Sequence, residues 1–551
     1  MQSSTPMTAE SWLLSRSAET TGLDYDGHHV LRATDLRFSL GGRRMFPVRL
    51  RPDPEEPRRL LAAVDSVLAR RSDDDDVEAL EISFVYRDCH DECVFMESRG
   101  KAGSHYEYLT RHEHAADVTS AHLARWLRFV ERRVTGSFTL AVPTVPPSKS
   151  VDEGGDGDNA HVRELIAELP ASARATTMSL ALGNATLKVP VAGVGAFHAL
   201  TDLVLRLARI DPSGADEHNL GRMLSSSCCP RLRRLQLEYI VGIATLRLDA
   251  ADTLEDLRLE SLPDMLSVDV NAPGLRELHI FLPEEAAATR VSAPRLEMVS
   301  CSGTSDHLPL ELAGGASANV RRLQSLGLWS HGHPPGHPEG YINAGVVWLL
   351  EQCSAAESLN VNISPPFCEE MGSEEIMSLM PALPNVTDLE IEITMSSGHR
   401  FGASVARFIR QCSNVRLLSV DVKDTYYTLC TNPRCFCGSD CEGNVEMSLP
   451  HLIEAKVSGV RPVEDHMNLV RRLVTSAPML ERMTVEFESW SPSWKKDRGY
   501  RVVVKDDLPA CDGARWICLD PVVVWIRLCV FKLDPFDLRY SSIAMVAVLV
   551  R

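Results

Sequence analysis

Residues 229–281 contain Cys229-Pro-Arg-Leu232-Arg-Arg-Leu235-Gln-Leu237, then Leu254-Glu-Asp-Leu257-Arg-Leu259, then Ala272-Pro-Gly-Leu275-Arg-Glu-Leu278-His-Ile280-Phe281. One pattern, apolar-x-x-apolar-x-apolar, recurs three times at spacings of 22 and 21 residues. Alternation at period two places the fourth and sixth positions on one face of a strand, and the first apolar residue packs as the chain enters it. A single such strand cannot bury its face alone, whereas stacked copies bury a continuous one.

Outward from this segment the pattern continues in both directions. It starts at Leu200, Leu232, Leu254, Leu275, Leu296, Leu323, Ala356, Val386, Val415, Leu452 and Leu480, with a weaker copy at Ala175. Between Leu200 and Leu480 successive starts lie 21 to 37 residues apart. Leucine-rich repeats run about 20–29 residues, so the short copies fit directly and the long ones imply inserted helices. Proline punctuates the run at Cys229-Pro230, Ala272-Pro273, Ala293-Pro294, Leu449-Pro450 and Ala477-Pro478, stopping each preceding segment. The long copies carry helical periodicity over 344–353, 403–412 and 465–474. The fold expected is therefore α/β: a leucine-rich-repeat solenoid, a curved stack of short parallel strands with helices and loops on the outer face.

The solenoid is expected over 161–490. Before it, residues 1–55 read as poorly ordered, and 56–142 as irregular N-terminal repeats or a cap, with helices over 58–71 and 119–133 and a strand starting at Val77. Residues 143–160, rich in Pro, Gly and acidic side chains, read as a flexible insertion, and 491–551 as an atypical C-terminal extension or cap.

Composition narrows the function. With 57 basic against 75 acidic side chains in 551 residues, the net charge is −18, which disfavours nucleic acid as a partner. The N-terminus lacks the apolar run of a secretory signal, and 522–533, the nearest candidate for a membrane span, is interrupted by Arg527 and Lys532. No membrane partner is expected. Fifteen cysteines in a chain without a visible export signal read as reduced thiols of the cytoplasm or nucleus.

Catalytic motifs are missing. The sequence has no G-x-x-x-x-G-K-[ST], no G-x-G-x-x-G and no G-x-S-x-G, and His112-Glu-His114 lacks the spacing of helical zinc ligands. The chain is read as a non-enzyme that uses no cofactor. Cys430, Cys435, Cys437 and Cys441 have the count of a structural zinc site, but the single residue between the inner pair departs from the usual two-to-four-residue spacing. A loop of reduced thiols is the favoured alternative. His331, His333 and His337 lie in a Pro/Gly-rich stretch read as a surface excursion.

The x positions of stacked hexamers form rows on an open face, the natural contact surface of a solenoid. They include Glu277, His279, Phe281 on one strand and Ser325, Gly327, Trp329 on another. Phe281 and Trp329, with His279, are candidate anchors for a protein partner. Asp388, Glu390 and Glu392, followed by Asp421, form a candidate acidic patch for a basic partner segment. Because side chains alternate, a one-residue slip would reverse inside and outside.

Several segments together resemble the plant F-box/leucine-rich-repeat proteins, especially the large set found in grasses. They are VDSVLARRSDDDDVEALEISF, VTSAHLARWLRFVERRVTGSFTLAVP, ELPASARATTMSLALGNATLKVP, LESLPDMLSVDVNAPGLRELHIF, and MSLPHLIEAKVSGV with APMLERMTVEF, in the family's order over roughly residues 55–490. The resemblance implies the substrate-recognition part of a cullin-based ubiquitin-ligase receptor, with a protein substrate on the strand face. A small hormone-like ligand, or a role as a competitor without ligase activity, are the alternatives. The F-box pattern that would dock a Skp-type adaptor is not recognisable in residues 1–55, so the resemblance does not carry adaptor docking over to this chain.

Overall fold

The structure is a computed structural model that describes residues 35–39, 55–71, 76–84, 96–100, 103–107, 118–142, 165–210, 215–282, 288–301, 310–329, 343–364, 380–395, 401–424, 447–460, 464–487, 514–519 and 522–527. They divide between two compact units, Met1–Leu328 with Gly340–Ala356, and Trp329–Glu339 with Glu357–Arg551.

The first unit begins with β1 (Asp35–Ser39), α1 (Glu55–Arg70), β2 (Val77–Ser83), the hairpin strands β3 (Met96–Gly100) and β4 (Gly103–Glu107), α2 (Ser120–Arg133) and β5 (Val134–Ala141). It continues through β6 (Ile166–Glu168), β7 (Thr177–Lys188), β8 (Asp202–Ile210), α3 (Ala215–Met223), β9 (Arg234–Val241), β10 (Thr245–Asp249) and β11 (Asp256–Glu260). The next elements are β12 (Ser267–Asn271), β13 (Glu277–Phe281), β14 (Ala288–Ser292), β15 (Met298–Cys301), β16 (Leu310–Ala313), β17 (Arg322–Trp329) and α4 (Ala344–Gln352). The second unit has β18 (Ser358–Ser364), β19 (Asp388–Met395), α5 (Gly402–Arg410), β20 (Leu417–Asp424), β21 (Glu454–Val460), α6 (Glu464–Ser476), β22 (Arg482–Phe487), β23 (Ala514–Leu519) and β24 (Val522–Arg527).

In the first unit β1, β2, β5, β7, β8, β9, β11, β13, β15 and β17 pair in that order, every pair parallel. In the second, β18 to β22 do the same. This is an α/β, leucine-rich-repeat type of stacking, one strand per repeat. Hexamer positions coincide in register: Leu203 faces Leu235, Leu235 faces Leu257, and Leu257 faces Leu278. The first, fourth and sixth positions form the core, with Leu232, Leu237, Leu254, Leu257, Leu259, Leu275 and Leu278 all buried.

The prolines have a specific task. At each start the anchor N–H closes a four-residue turn onto the carbonyl three residues back, as Leu232 to Cys229, Leu275 to Ala272, Leu296 to Ala293, Leu452 to Leu449 and Leu480 to Ala477. Proline occupies the second turn position, where its fixed φ is favoured. Its carbonyl is used as well. Thr253 Oγ1 donates to Pro230 O at 3.3 Å, Asn319 Nδ2 to Pro294 O at 2.8 Å and Asn414 Nδ2 to Pro384 O at 2.7 Å, each from the next turn along.

One expectation is corrected and two are sharpened. In the short repeats the outer layer includes a second parallel sheet, β10-β12-β14-β16. Leu246, Leu248, Val268, Val270, Thr289, Val291 and Leu310 are its buried side chains. A five-residue strand at about 3.3 Å per residue covers the outer side, whereas a helix at 1.5 Å per residue needs about twice the chain. Among the described residues the α-helices lie in the longer repeats.

The repeat start assigned to Leu323 is displaced by three residues. Val299 faces Leu323, so Leu323 is a fourth position, and the start is Val320, whose N–H closes the turn onto Ser317. Ser325 takes a left-handed conformation, φ 57°, and the alternation changes phase there, making Leu326, Gly327 and Leu328 all buried.

The stack also begins earlier than the expected solenoid. Val77-Glu-Ala-Leu80-Glu-Ile82 is a hexamer with all three apolar positions buried, and β5 follows in register through Phe138 and Leu140. Residues 35–39, within the segment read as poorly ordered, form β1 against β2. Helix α1 and helix α2, close to their expected bounds, flank these strands. Trp126 of α2 stacks on Phe84 at 5.8 Å between centroids and donates from Nε1 to Asp65 of α1 at 3.3 Å. In the C-terminal segment β24 pairs antiparallel with β22 and with β23, ending the parallel order. Among the described residues no helix is long and apolar enough to cross a membrane. The insertion over 143–160 lies outside the described residues.

Candidate interaction face

In the first unit the x positions of β8, β9, β11, β13, β15 and β17 line up as two central rows. One runs Asp202, Arg234, Asp256, Glu277, Met298, Arg322, and the next Val204, Gln236, Arg258, His279, Ser300, Gln324. Beside them Arg206, Glu238, Glu260 and Phe281 continue the face. Parallel neighbours stand about 4.8 Å apart, so oppositely charged side chains in a row meet without reaching.

They do meet. Arg234 pairs with Asp202 at 3.3 Å, Arg206 with Glu238 at 2.6 Å, and Arg322 reaches Glu277 at 3.0 Å, while Arg258 pairs with Asp256 at 3.3 Å along its own strand. At the strand starts Arg233 is bidentate on Glu255, and Arg276 grips Glu297. Exposed pairs of this kind add little stability. Their effect is to fix the directions of long side chains on an open surface.

Electrostatics vary along the rows. Burial raises the pKa of Glu238, with the charge of Glu260 adding to it and Arg206 opposing. Burial, then Arg258, lowers that of His279, which favours the uncharged ring; its Nε2 is enclosed and has no hydrogen-bond partner among the described residues. Phe281, at the end of β13, is 38% exposed. Met298 and Ser300 are buried, so the open part of the face lies on β8 to β13.

Of the residues singled out in the sequence, His279 and Phe281 thus share the face of β13. Trp329 is the last residue of β17, and the row assigned to it rested on the displaced register; Ser325 and Gly327 of that row do not alternate outward together, since Gly327 is buried. The cysteines at 430, 435, 437 and 441, and the histidines at 331, 333 and 337, lie outside the described residues.

The second unit brings the acidic candidates together. Asp388, Glu390 and Glu392 alternate along β19, and Glu392 faces Asp421 of β20. The patch is partly compensated: Lys423 reaches Glu392 at 2.7 Å, Asn360 donates to Glu390 at 2.7 Å and Ser458 to Asp421 at 2.7 Å. Burial, and then the neighbouring Glu390, raise the pKa of Asp388. Leu417, beside Asp388, is an exposed apolar side chain among these polar ones.

The reciprocal ion pairs were overlooked in the sequence. The signal was present as sign alternation at the repeat spacing, Arg233, Glu255, Arg276, Glu297, visible only once the period is used to align rows. Elsewhere, burial pushes the thiols of Cys229, Cys301, Cys353 and Cys412 up to about 12, so at neutral pH they are protonated packing groups rather than nucleophiles.

No protein-family model matches the chain, and no curated protein matches it.

Proposed function

We propose that the chain is a non-catalytic scaffold that holds a protein substrate on its strand face, in the manner of the substrate-recognition part of an F-box/leucine-rich-repeat ubiquitin-ligase receptor. The observation that carries this reading is the pre-ordered face of β8 to β13, where two cross-strand ion pairs and one within β11 fix polar side chains on the face that carries the exposed ring of Phe281. Such a surface binds with little loss of side-chain freedom, because much of the ordering has already occurred on folding. The role is positional, and the chemistry belongs to a ligase bound elsewhere.

The test begins with proximity labelling to identify a partner, followed by affinity measurement with the purified proteins. Phe281→Ala and Arg258→Glu, on the face, are expected to weaken binding at least tenfold, a loss of about 1.4 kcal/mol. Arg247→Glu, on the outer sheet, is expected to leave it unchanged. A partner equally sensitive to all three overturns the strand face as the contact surface. Binding to a Skp-type adaptor, measured separately, distinguishes a ligase-coupled receptor from a competitor that holds the same substrate without presenting it.

A further inference from the structure

On the rows of β8 to β17 in the first unit, four carboxylates each have a cation: Asp202 with Arg234, Glu238 with Arg206, Asp256 with Arg258, and Glu277 with Arg322. The fifth, Glu260, has no cationic partner among the described residues. Its neighbours explain why. On one side it faces Glu238, whose partner is Arg206, and on the other it faces Phe281. Arg258, two residues away on the same strand, turns back to Asp256 through both Nε and Nη2. His279, diagonal to Glu260, is held toward its neutral form by burial and by Arg258. Glu260 is thus an uncompensated charge directly beside the exposed aromatic ring of the face.

We propose that this pair is a receptor for an arginine side chain of the bound protein, its guanidinium paired with the Glu260 carboxylate and its plane laid on Phe281. The proposal deepens the scaffold reading and rests on it. Arginine is favoured over lysine on chemical grounds. Its planar fork matches a carboxylate in two parallel hydrogen bonds, and its weakly hydrated plane stacks on an aromatic face, whereas an ammonium is a strongly hydrated point charge. Adjacent parallel strands hold Glu260 and Phe281 side by side, a spacing one guanidinium spans. The incoming cation also offsets the second of two adjacent like charges in its row, which runs Arg206, Glu238, Glu260.

The experiment uses the whole chain labelled with 4-fluorophenylalanine, with the Phe281 resonance assigned through Phe281→Leu. The probe is acetyl-Gly-Arg-Gly-amide, beside counterparts carrying citrulline or lysine. The arginine peptide is expected to shift the Phe281 fluorine signal saturably. Citrulline, the uncharged isostere, is expected to bind at least fivefold more weakly, and lysine about threefold more weakly. Glu260→Gln is expected to cost the arginine peptide at least fivefold. Equal binding of citrulline, equal binding of lysine, an unmoved Phe281 signal, or an unaffected Glu260→Gln variant each overturns the proposal. The two readings separate cleanly. A partner protein that needs Arg258 and Phe281 but binds Glu260→Gln as tightly as the parent removes the arginine site and keeps the scaffold, whereas a partner indifferent to the whole face removes both.

Discussion

The repeats of 21–24 residues in the first unit and those of 28–37 residues in the second present the same kind of inner strand, yet their outer layers differ. Between β9 and β16 the outer layer is a strand in every repeat; in the second unit α5 and α6 carry out that task. Repeat length decides the choice, because a strand covers about twice the distance of a helix per residue. The consequence lies in the packing. The outer strands contribute small, regularly spaced side chains such as Val268, Val270 and Val291, whereas α5 buries Val405, Phe408 and Ile409 on one face. The helical repeats therefore concentrate their burial in fewer, larger groups.

The most direct way to break this contrast is a pair of truncations followed by denaturant unfolding. Phe408→Ala in α5 is expected to cost about 3–5 kcal/mol, and Val270→Ala in β12 about 1.5–3 kcal/mol. The reverse order would show that the outer sheet, not the helices, bears the larger share of packing.

A second comparison uses the residue before the repeat start. In the repeat that starts at Leu275, Gly274 brings the chain so close to the preceding turn that an added Cβ would lie 1.8 Å from Asp252 O. Gly274→Ala is expected to destabilise by about 1–3 kcal/mol, since backbone and not a flexible side chain must move. At the equivalent place in the second unit Asn414 instead donates to Pro384 O. Asn414→Ala is expected to cost only about 0.5–1.5 kcal/mol, the worth of one hydrogen bond. Thermal melts of the two variants rank them directly, and equal losses would mean that turn spacing is alike in both regions.

The smallest effect concerns charge in the second unit. Asp388 has a raised pKa in the folded chain, so the fold binds its proton more tightly than the unfolded chain does. Its contribution is most favourable below the unfolded value near 3.9 and is lost as pH rises through the raised folded value. Asp388→Asn is expected to raise stability slightly at pH 7, by less than about 1 kcal/mol, and to have no such benefit at pH 3. A uniform gain at both pH values would exclude the electrostatic cause.

Much of the inner sheet was legible because a fixed hexamer, repeated at one phase, is hard to satisfy by chance. Its failures have physical causes. At Val320 the stretch Val320-Arg-Arg-Leu323-Gln-Ser325 fits the pattern less well than Leu323-Gln-Ser-Leu326-Gly-Leu328. The left-handed Ser325 resets the alternation, so the better textual match is the wrong rung, and Trp329 was assigned to a row on that basis. The hexamer at Val77 was separated from the others by long non-repeating stretches, which hid its period. The outer strands are four or five residues with one or two buried positions, too short for periodicity alone to separate from turn. On the face, Phe281 and the β19 carboxylates were visible as side-chain types at x positions. The unpaired state of Glu260 was not, because it depends on where each arginine turns.

The turn carbonyls that receive Asn319, Asn414 and Thr253 bind each rung to its immediate predecessor, as do the strand amides beside them. Tension applied along the stacking direction between β8 and β17 would thus load one junction at a time. Such a stack is expected to peel in small successive steps under an optical trap, each release adding the contour length of a single rung, instead of rupturing in one event.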